Sequence, residues 1–172
     1  CNIYGVDYED DFPWLVREKI LDVYIRLNKK YDCIYVLANS IGAYFSMHTL
    51  QKADIKKAFF ISPILDMERL ILDMMRWAEV SEDELAEKEE IPTDFGETLS
   101  WKYLCYVREH PISWEIPTEI LYGENDSMTT LQTVKKFMDS HKAHLTVMKG
   151  GEHWFHTKEQ LAFLNDWMRS VI

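Results

Sequence analysis

Three residues of this chain stand where side chains can carry out acyl-transfer chemistry. Ser40 lies in the pentapeptide Ala38-Asn39-Ser40-Ile41-Gly42, between a short apolar run at 33–37 (CIYVL) and a helical pattern that begins at 41. A serine on a sharp strand-to-helix turn exposes its hydroxyl above the sheet edge, and small residues two before and two after it permit close backbone approach. The helix that follows presents its positive end where an oxyanion would form, with the Ile41 N–H as one donor. Such a serine needs a base within hydrogen-bond reach, and that base needs an orienting acid. Asp126 in LYGENDSM and His153 in KGGEHWF each follow a buried strand. Both therefore fall at the carboxyl ends of parallel strands, the edge where Ser40 also lies. The bland alternative is that Ser40 only caps the helix.

Rivals exist for each role. Asp66 also follows a buried strand, in ISPILDM, and competes with Asp126 as the acid. His156 follows His153 at one-turn spacing, but a metal site needs three or more ligands and no third is near, so no metal is expected. His48, His110, His141 and His144 follow no buried strand within a Gly-rich loop and read as surface or structural residues. Glu124 reads as solvated.

The elements that must position these residues alternate along the chain. Residues 2–7 (NIYGVD) are extended in character, and after an acidic turn Asp11 and Pro13 suit the first turn of a helix over about 13–29. The run 33–37 reads as a strand buried on both faces, followed by a helix over about 41–51 and a second buried strand at 58–62 (AFFIS). Later come a strand at 119–123, a helix over about 129–139, a strand at 144–148, and a helix over about 158–171 opened by the capping box Thr157-x-x-Gln160. Strands alternating with helices predict an α/β fold, a three-layer αβα sandwich with a mostly parallel sheet.

One stretch breaks the alternation. Residues 64–116 read as helices only, with a capping box Ser81-x-x-Glu84 and a charged, exposed run at 82–90, so the core is expected in 1–63 and 117–172 with a helical cap inserted between. Such insertions commonly sit over a sheet's ligand-binding edge. Met74, Trp77 and Trp101 in it, with Trp154 beside His153, are the candidate substrate-binding residues, although an aromatic stripe is as often ordinary core.

The set VLANSIGA, LYGENDSM and KGGEHWF resembles the α/β-hydrolase superfamily, particularly its small esterases and acyl-ester lipases, over nearly the whole chain. The resemblance implies Ser40 as nucleophile, Asp126 as acid and His153 as base, in the order expected of that fold, with no cofactor. Ala38 stands where Gly is usual and is small enough for the turn. The family's second oxyanion donor comes from a loop after an earlier strand, which has no counterpart before residue 1, so the chain is expected to be a fragment lacking the N-terminal strands. A carboxylic ester of a small, largely apolar molecule is the expected substrate. A non-catalytic binding protein, or cleavage of amide, thioester or carbon–carbon bonds, remains the alternative.

Composition narrows the partners. A formal net charge of −10 and a pI near 5.0 disfavour nucleic acid and anionic membranes, which call for a basic surface. No apolar run approaches membrane-spanning length, and the N-terminus lacks a signal-peptide pattern. Cys1, Cys33 and Cys105 are odd in number and form no C-x-x-C, which argues for a reducing, cytoplasmic setting.

Overall fold

The computed structural model describes residues 2–8 and 12–172. In chain order they form α1 (Pro13–Asn28), β1 (Tyr35–Asn39), α2 (Ile41–Leu50), β2 (Lys57–Ile61), α3 (Met67–Trp77), α4 (Glu82–Lys88), β3 (Glu90–Pro92), β4 (Thr98–Ser100), α5 (Trp101–Glu109), β5 (Thr118–Gly123), α6 (Leu131–Ser140), β6 (Ala143–Met148) and α7 (Lys158–Val171). Contacts divide the chain into two compact units, Cys1–Leu65 with Ile112–Ile172, and Asp66–Pro111.

The first unit is built on a parallel four-stranded sheet in the order β1-β2-β5-β6. The inner strands explain the apolar runs of the sequence, because a parallel strand covered on both faces has no solvent side to keep polar. Phe59 and Ile61 of β2 and Leu121 of β5 pack with Trp167, to which Leu164 and Met168 of α7 add. Phe60, one residue out of phase, faces the other way and meets Trp114 at 5.8 Å between ring centroids. Leu121 is fully buried, and truncating such a leucine to alanine costs about 2–5 kcal/mol. α2, which runs on from the sheet edge, buries Ala43, Tyr44, Phe45, Met47 and Leu50, so it has no polar face and must lie inside. α7 opens with the expected capping box, both hydrogen bonds of Thr157 and Gln160 being present.

Several expectations are corrected. β1 starts two residues later than the run 33–37, and it is an edge strand: among the described residues it pairs with β2 alone, which leaves Tyr35 52% and Leu37 54% exposed instead of buried on both faces. Residues 2–8 form no strand among the described residues; the segment is tied instead to the turn after α1 by Tyr4 and Tyr31, whose hydroxyls meet at 2.6 Å. Asp11, expected with Pro13 in the first turn of the helix, and Cys1 lie outside the described residues.

The second unit lies within the stretch read as an insertion, and it too differs in detail from that reading. It is shorter at both ends than 64–116, because Ile64, Trp114 and Ile116 are buried and belong to the sheet unit, where Trp114 Nε1 donates to Thr118 Oγ1. It is not wholly helical. β3 and β4 pair antiparallel around a turn whose Gly96 has φ +90°, a left-handed conformation that suits glycine. Asp66, Ser81 and Ser100 cap α3, α4 and α5 through their side-chain oxygens.

Candidate active site

β1 ends at Asn39 and α2 begins at Ile41, leaving one residue for the reversal. Ser40 makes it with φ 51° and ψ −124°, a conformation that costs a residue with a Cβ about 1–3 kcal/mol and persists only where surrounding structure imposes it. Here the backbone is held on both sides. The Ser40 N–H donates to Ile61 O (3.0 Å), and Ser40 O accepts from Ile64 N (3.0 Å) and Ala43 N (3.1 Å). Although Ser40 occupies the cap position of α2, its hydroxyl caps nothing. It points to His153, with Oγ 2.8 Å from Nε2.

His153 reaches that point from the loop after β6. The chain turns at Gly150, φ +67°, with Gly151 N–H donating to Met148 O (3.1 Å). Its imidazole is 3% exposed, and Nδ1 lies 2.8 Å from Asp126 Oδ2, a carboxylate side chain with no exposure. A carboxylate only accepts, so Nδ1 carries the proton and Nε2 is left free to accept from Ser40.

Asp126 sits in the loop after β5. Its second oxygen, Oδ1, accepts from the backbone N–H groups of Met128 (2.8 Å) and Thr129 (2.9 Å), an Asx turn that fixes the side chain before α6 begins. Behind it, the Tyr122 hydroxyl is pushed up from its ordinary value by burial and by the charge of Asp126, and it donates to Thr129 O (2.9 Å). The chemistry available to such a set is proton withdrawal from a hydroxyl positioned to attack an acyl carbon.

Of the other sequence candidates, Ile41 and Trp154 adjoin the relay and the rest do not. Ile41 opens α2. Trp154 is 60% exposed and meets the His153 ring edge to face at 4.9 Å. Met74, Trp77 and Trp101 belong to the inserted unit. There Trp77 is 51% exposed against Phe95, and Trp101 lines an open groove of about 330 Å³ with Lys88, Glu89, Glu90, Ser100 and Lys102. Asp66 is engaged as the cap of α3, accepting from Arg69 N (3.0 Å), and His156 Nδ1 lies 2.7 Å from Trp154 O. Glu124 is exposed but not idle, since its Oε2 accepts from Gly150 N (2.9 Å) and steadies the turn before His153. That contact spans 26 positions, so local pattern carries no trace of it, and the Tyr122–Thr129 bond, seven positions apart, has no sequence signature of its own. The spacing Asp126-x-x-Thr129 before a helix does mark an Asx-type turn.

No protein-family model matches this sequence, and no curated protein matches it either. Solved structures do match. A protein of Agrobacterium vitis S4, named only provisionally as a hydrolase, is similar with a TM-score of 0.74 at 16% identity, over 95% of this chain and 69% of its own. The alpha/beta hydrolase domain-containing protein 10 of mouse is similar with a TM-score of 0.70 at 14% identity, over 96% and 73%. Est1E from Butyrivibrio proteoclasticus is similar with a TM-score of 0.68 at 20% identity, over 97% and 72%. At such identities the likeness is one of architecture, and it agrees with the parallel sheet, the helices on its faces and the strand-to-helix reversal at Ser40: the chain has the α/β-hydrolase fold.

Proposed function

We propose that this chain is a serine hydrolase that cleaves a carboxylic ester, or a related acyl bond, of a small and largely apolar substrate. The observation that carries the reading is the unbroken relay from the Ser40 hydroxyl through both nitrogens of a buried His153 to a buried Asp126, starting from a serine in a strained backbone. A serine kept there only to cap α2 would turn its hydroxyl to the helix backbone, and the Ser40 hydroxyl makes no such bond.

In the proposed reaction His153 Nε2 takes the Ser40 proton as Oγ attacks the acyl carbon. The carbonyl oxygen becomes an oxyanion facing the Ile41 N–H, with the positive end of α2 behind it. Collapse breaks the bond to the leaving oxygen, which receives the proton from Nε2 and departs as the alcohol. Water then gives a proton to Nε2, attacks the acyl-enzyme and releases the acid, and Ser40 regains its proton. Asp126 stays ionised and holds the Nδ1–H throughout. Trp154, exposed beside His153, offers an apolar surface to the substrate. The free thiols of Cys33 and Cys105 suit a reducing compartment such as the cytoplasm.

The test is covalent labelling with a fluorophosphonate, read by mass spectrometry of the peptide containing Ser40, alongside hydrolysis of an activated ester. Wild type should be labelled at Ser40 and should turn the ester over, with both properties lost in Ser40→Ala and His153→Ala. Labelling elsewhere, or ester hydrolysis that survives both substitutions, sinks the reading.

A further inference from the structure

Thr129 commits all three of its polar groups to neighbours of the relay. Its N–H donates to Asp126 Oδ1 (2.9 Å), its hydroxyl donates to Pro63 O (3.1 Å), and its carbonyl accepts from the Tyr122 hydroxyl (2.9 Å). The side chain is buried, with the residue 5% exposed. It is not the cap of α6, a task that belongs to Thr130. The partner of its hydroxyl lies in the turn after β2, which Ser62 enters with φ 43°. That turn reaches the nucleophile too: Ser62 N–H donates to Leu121 O (2.8 Å), and Ile64 N–H donates to the Ser40 carbonyl (3.0 Å). The turn at 62–64 thus touches the backbone of the nucleophile at one end and the loop of the acid at the other, with Thr129 Oγ1 as the side-chain link.

We infer that Thr129 is a positioning residue: its hydroxyl bond to Pro63 holds the Asp126 loop in register with the Ser40 turn, and so sets the Asp126–His153 contact that orients the base. The inference rests on the reading of Asp126 as the acid of the relay. A buried hydroxyl costs free energy unless it is bonded, and the carbonyl it satisfies would be orphaned without it, so the link is maintained from both ends. Small displacements in such a relay are expensive. A misplacement of about 1 Å can cost about 100-fold in rate.

The test compares Thr129→Val, which keeps the shape and loses the hydroxyl, with Thr129→Ser, which keeps the hydroxyl and loses a methyl. For Thr129→Val we expect kcat for ester hydrolysis to fall roughly 10- to 100-fold with KM within about twofold of wild type. Its crystal structure should show His153 Nδ1 and Asp126 Oδ2 farther apart than hydrogen-bond reach, about 3.2 Å. Thr129→Ser should restore both the rate and the contact. A folded Thr129→Val that keeps contact and kcat overturns the inference, as does a folded Thr129→Ser that fails as fully as Thr129→Val, since methyl packing would then be what matters. The crystallographic arm is read whether or not wild type hydrolyses an ester. Failure of the hydrolase reading, seen as activity in Ser40→Ala, is therefore distinct from failure of the Thr129 link.

Discussion

Gly123 and Gly151 meet backbone to backbone: a Cβ on Gly123 would stand 2.6 Å from Gly151 O and 2.6 Å from Glu152 O. Gly123 ends the strand that leads to Asp126, and Gly151 lies two residues before His153. The same approach lets Asn125 N–H donate to Gly151 O (2.8 Å) and Glu124 N–H donate to Met148 O (3.0 Å). The loops that carry Asp126 and His153 are thus laced together by main chain, and any side chain at Gly123 must push them apart.

Gly123→Ala is expected to destabilise the fold by about 1–3 kcal/mol through overpacking against rigid backbone. For a chain of this size that lowers Tm by roughly 2–10 °C. Ester hydrolysis should fall further than stability does, because the displaced groups lead directly to Asp126 and His153. Thermal melts and initial rates on the same preparation decide it; a variant that melts and reacts like wild type would mean the loops have slack that the 2.6 Å approach denies.

Asp126→Asn keeps the size of the side chain and its Asx turn but replaces the acceptor opposite His153 Nδ1 with a group that can also donate. The imidazole then has no reason to hold its proton on Nδ1, and Nε2 is no longer reliably free to accept from Ser40. A loss in kcat on the order of 10³–10⁴-fold is expected, with little change in Tm, the size seen when the acid of such a relay is neutralised. A decrease below about tenfold would transfer the role of acid away from Asp126.

Much of this site is legible in the sequence because its parts obey local rules. Ser40 is marked by an apolar run, small neighbours and the onset of a helix, and Asp126 and His153 by their places just beyond buried strands. The exposure of β1 among the described residues does not follow from those rules. Its apolar run implied cover on both faces, but exposure depends on which strands flank it, a fact of topology that a run of five residues does not contain. The β3–β4 pair escaped for a related reason, since each strand has three residues, too few to show alternation. The links that fix geometry across the loops, Thr129 to Pro63 and Glu124 to Gly150, span 66 and 26 positions and become visible only in three dimensions.

At the opposite ends of the strands a charged cluster makes stability depend on acid. Glu119 on β5 pairs with Lys57 on β2 (2.9 Å) and lies 3.2 Å from His144 Nδ1 on β6. Burial alone would push its carboxyl up; the hydrogen bonds from Lys57 and His144 outweigh it and hold the group below its ordinary value. A carboxyl depressed in the folded state binds fewer protons there than in the unfolded chain. Its stabilisation is therefore present above the unfolded value and lost as pH falls through the folded one. Denaturant titrations across the acid range should show wild type losing stability more steeply there than Glu119→Gln, which is less stable near neutrality. Parallel curves for the two proteins would remove Glu119 from the acid response.

In the inserted unit a single guanidinium joins three helices. Arg108 of α5 donates from Nε to Glu68 Oε1 of α3 (2.7 Å) and from Nη1 and Nη2 to the two oxygens of Glu82 in α4 (2.7 and 2.9 Å). These bonds hold Glu82 below its ordinary value, an effect that desolvation opposes and the charge of Arg108 reinforces. α4 has seven residues, far short of the length at which an isolated helix persists in water, so its order depends on what it touches. Leu85 supplies the apolar anchor and the Arg108 fork supplies the polar one. Lysine offers a point charge in place of the planar fork and cannot bond both oxygens of Glu82 while reaching Glu68. Arg108→Lys should therefore speed amide exchange at Leu85 and Glu89, whose N–H groups close the turns of α4, by roughly two- to fivefold, the range expected for losing a part-exposed ion-pair network. Exchange in β2 and β5 should not change. If those strands accelerate together with α4, the two units unfold as one and Arg108 stabilises more than the insertion.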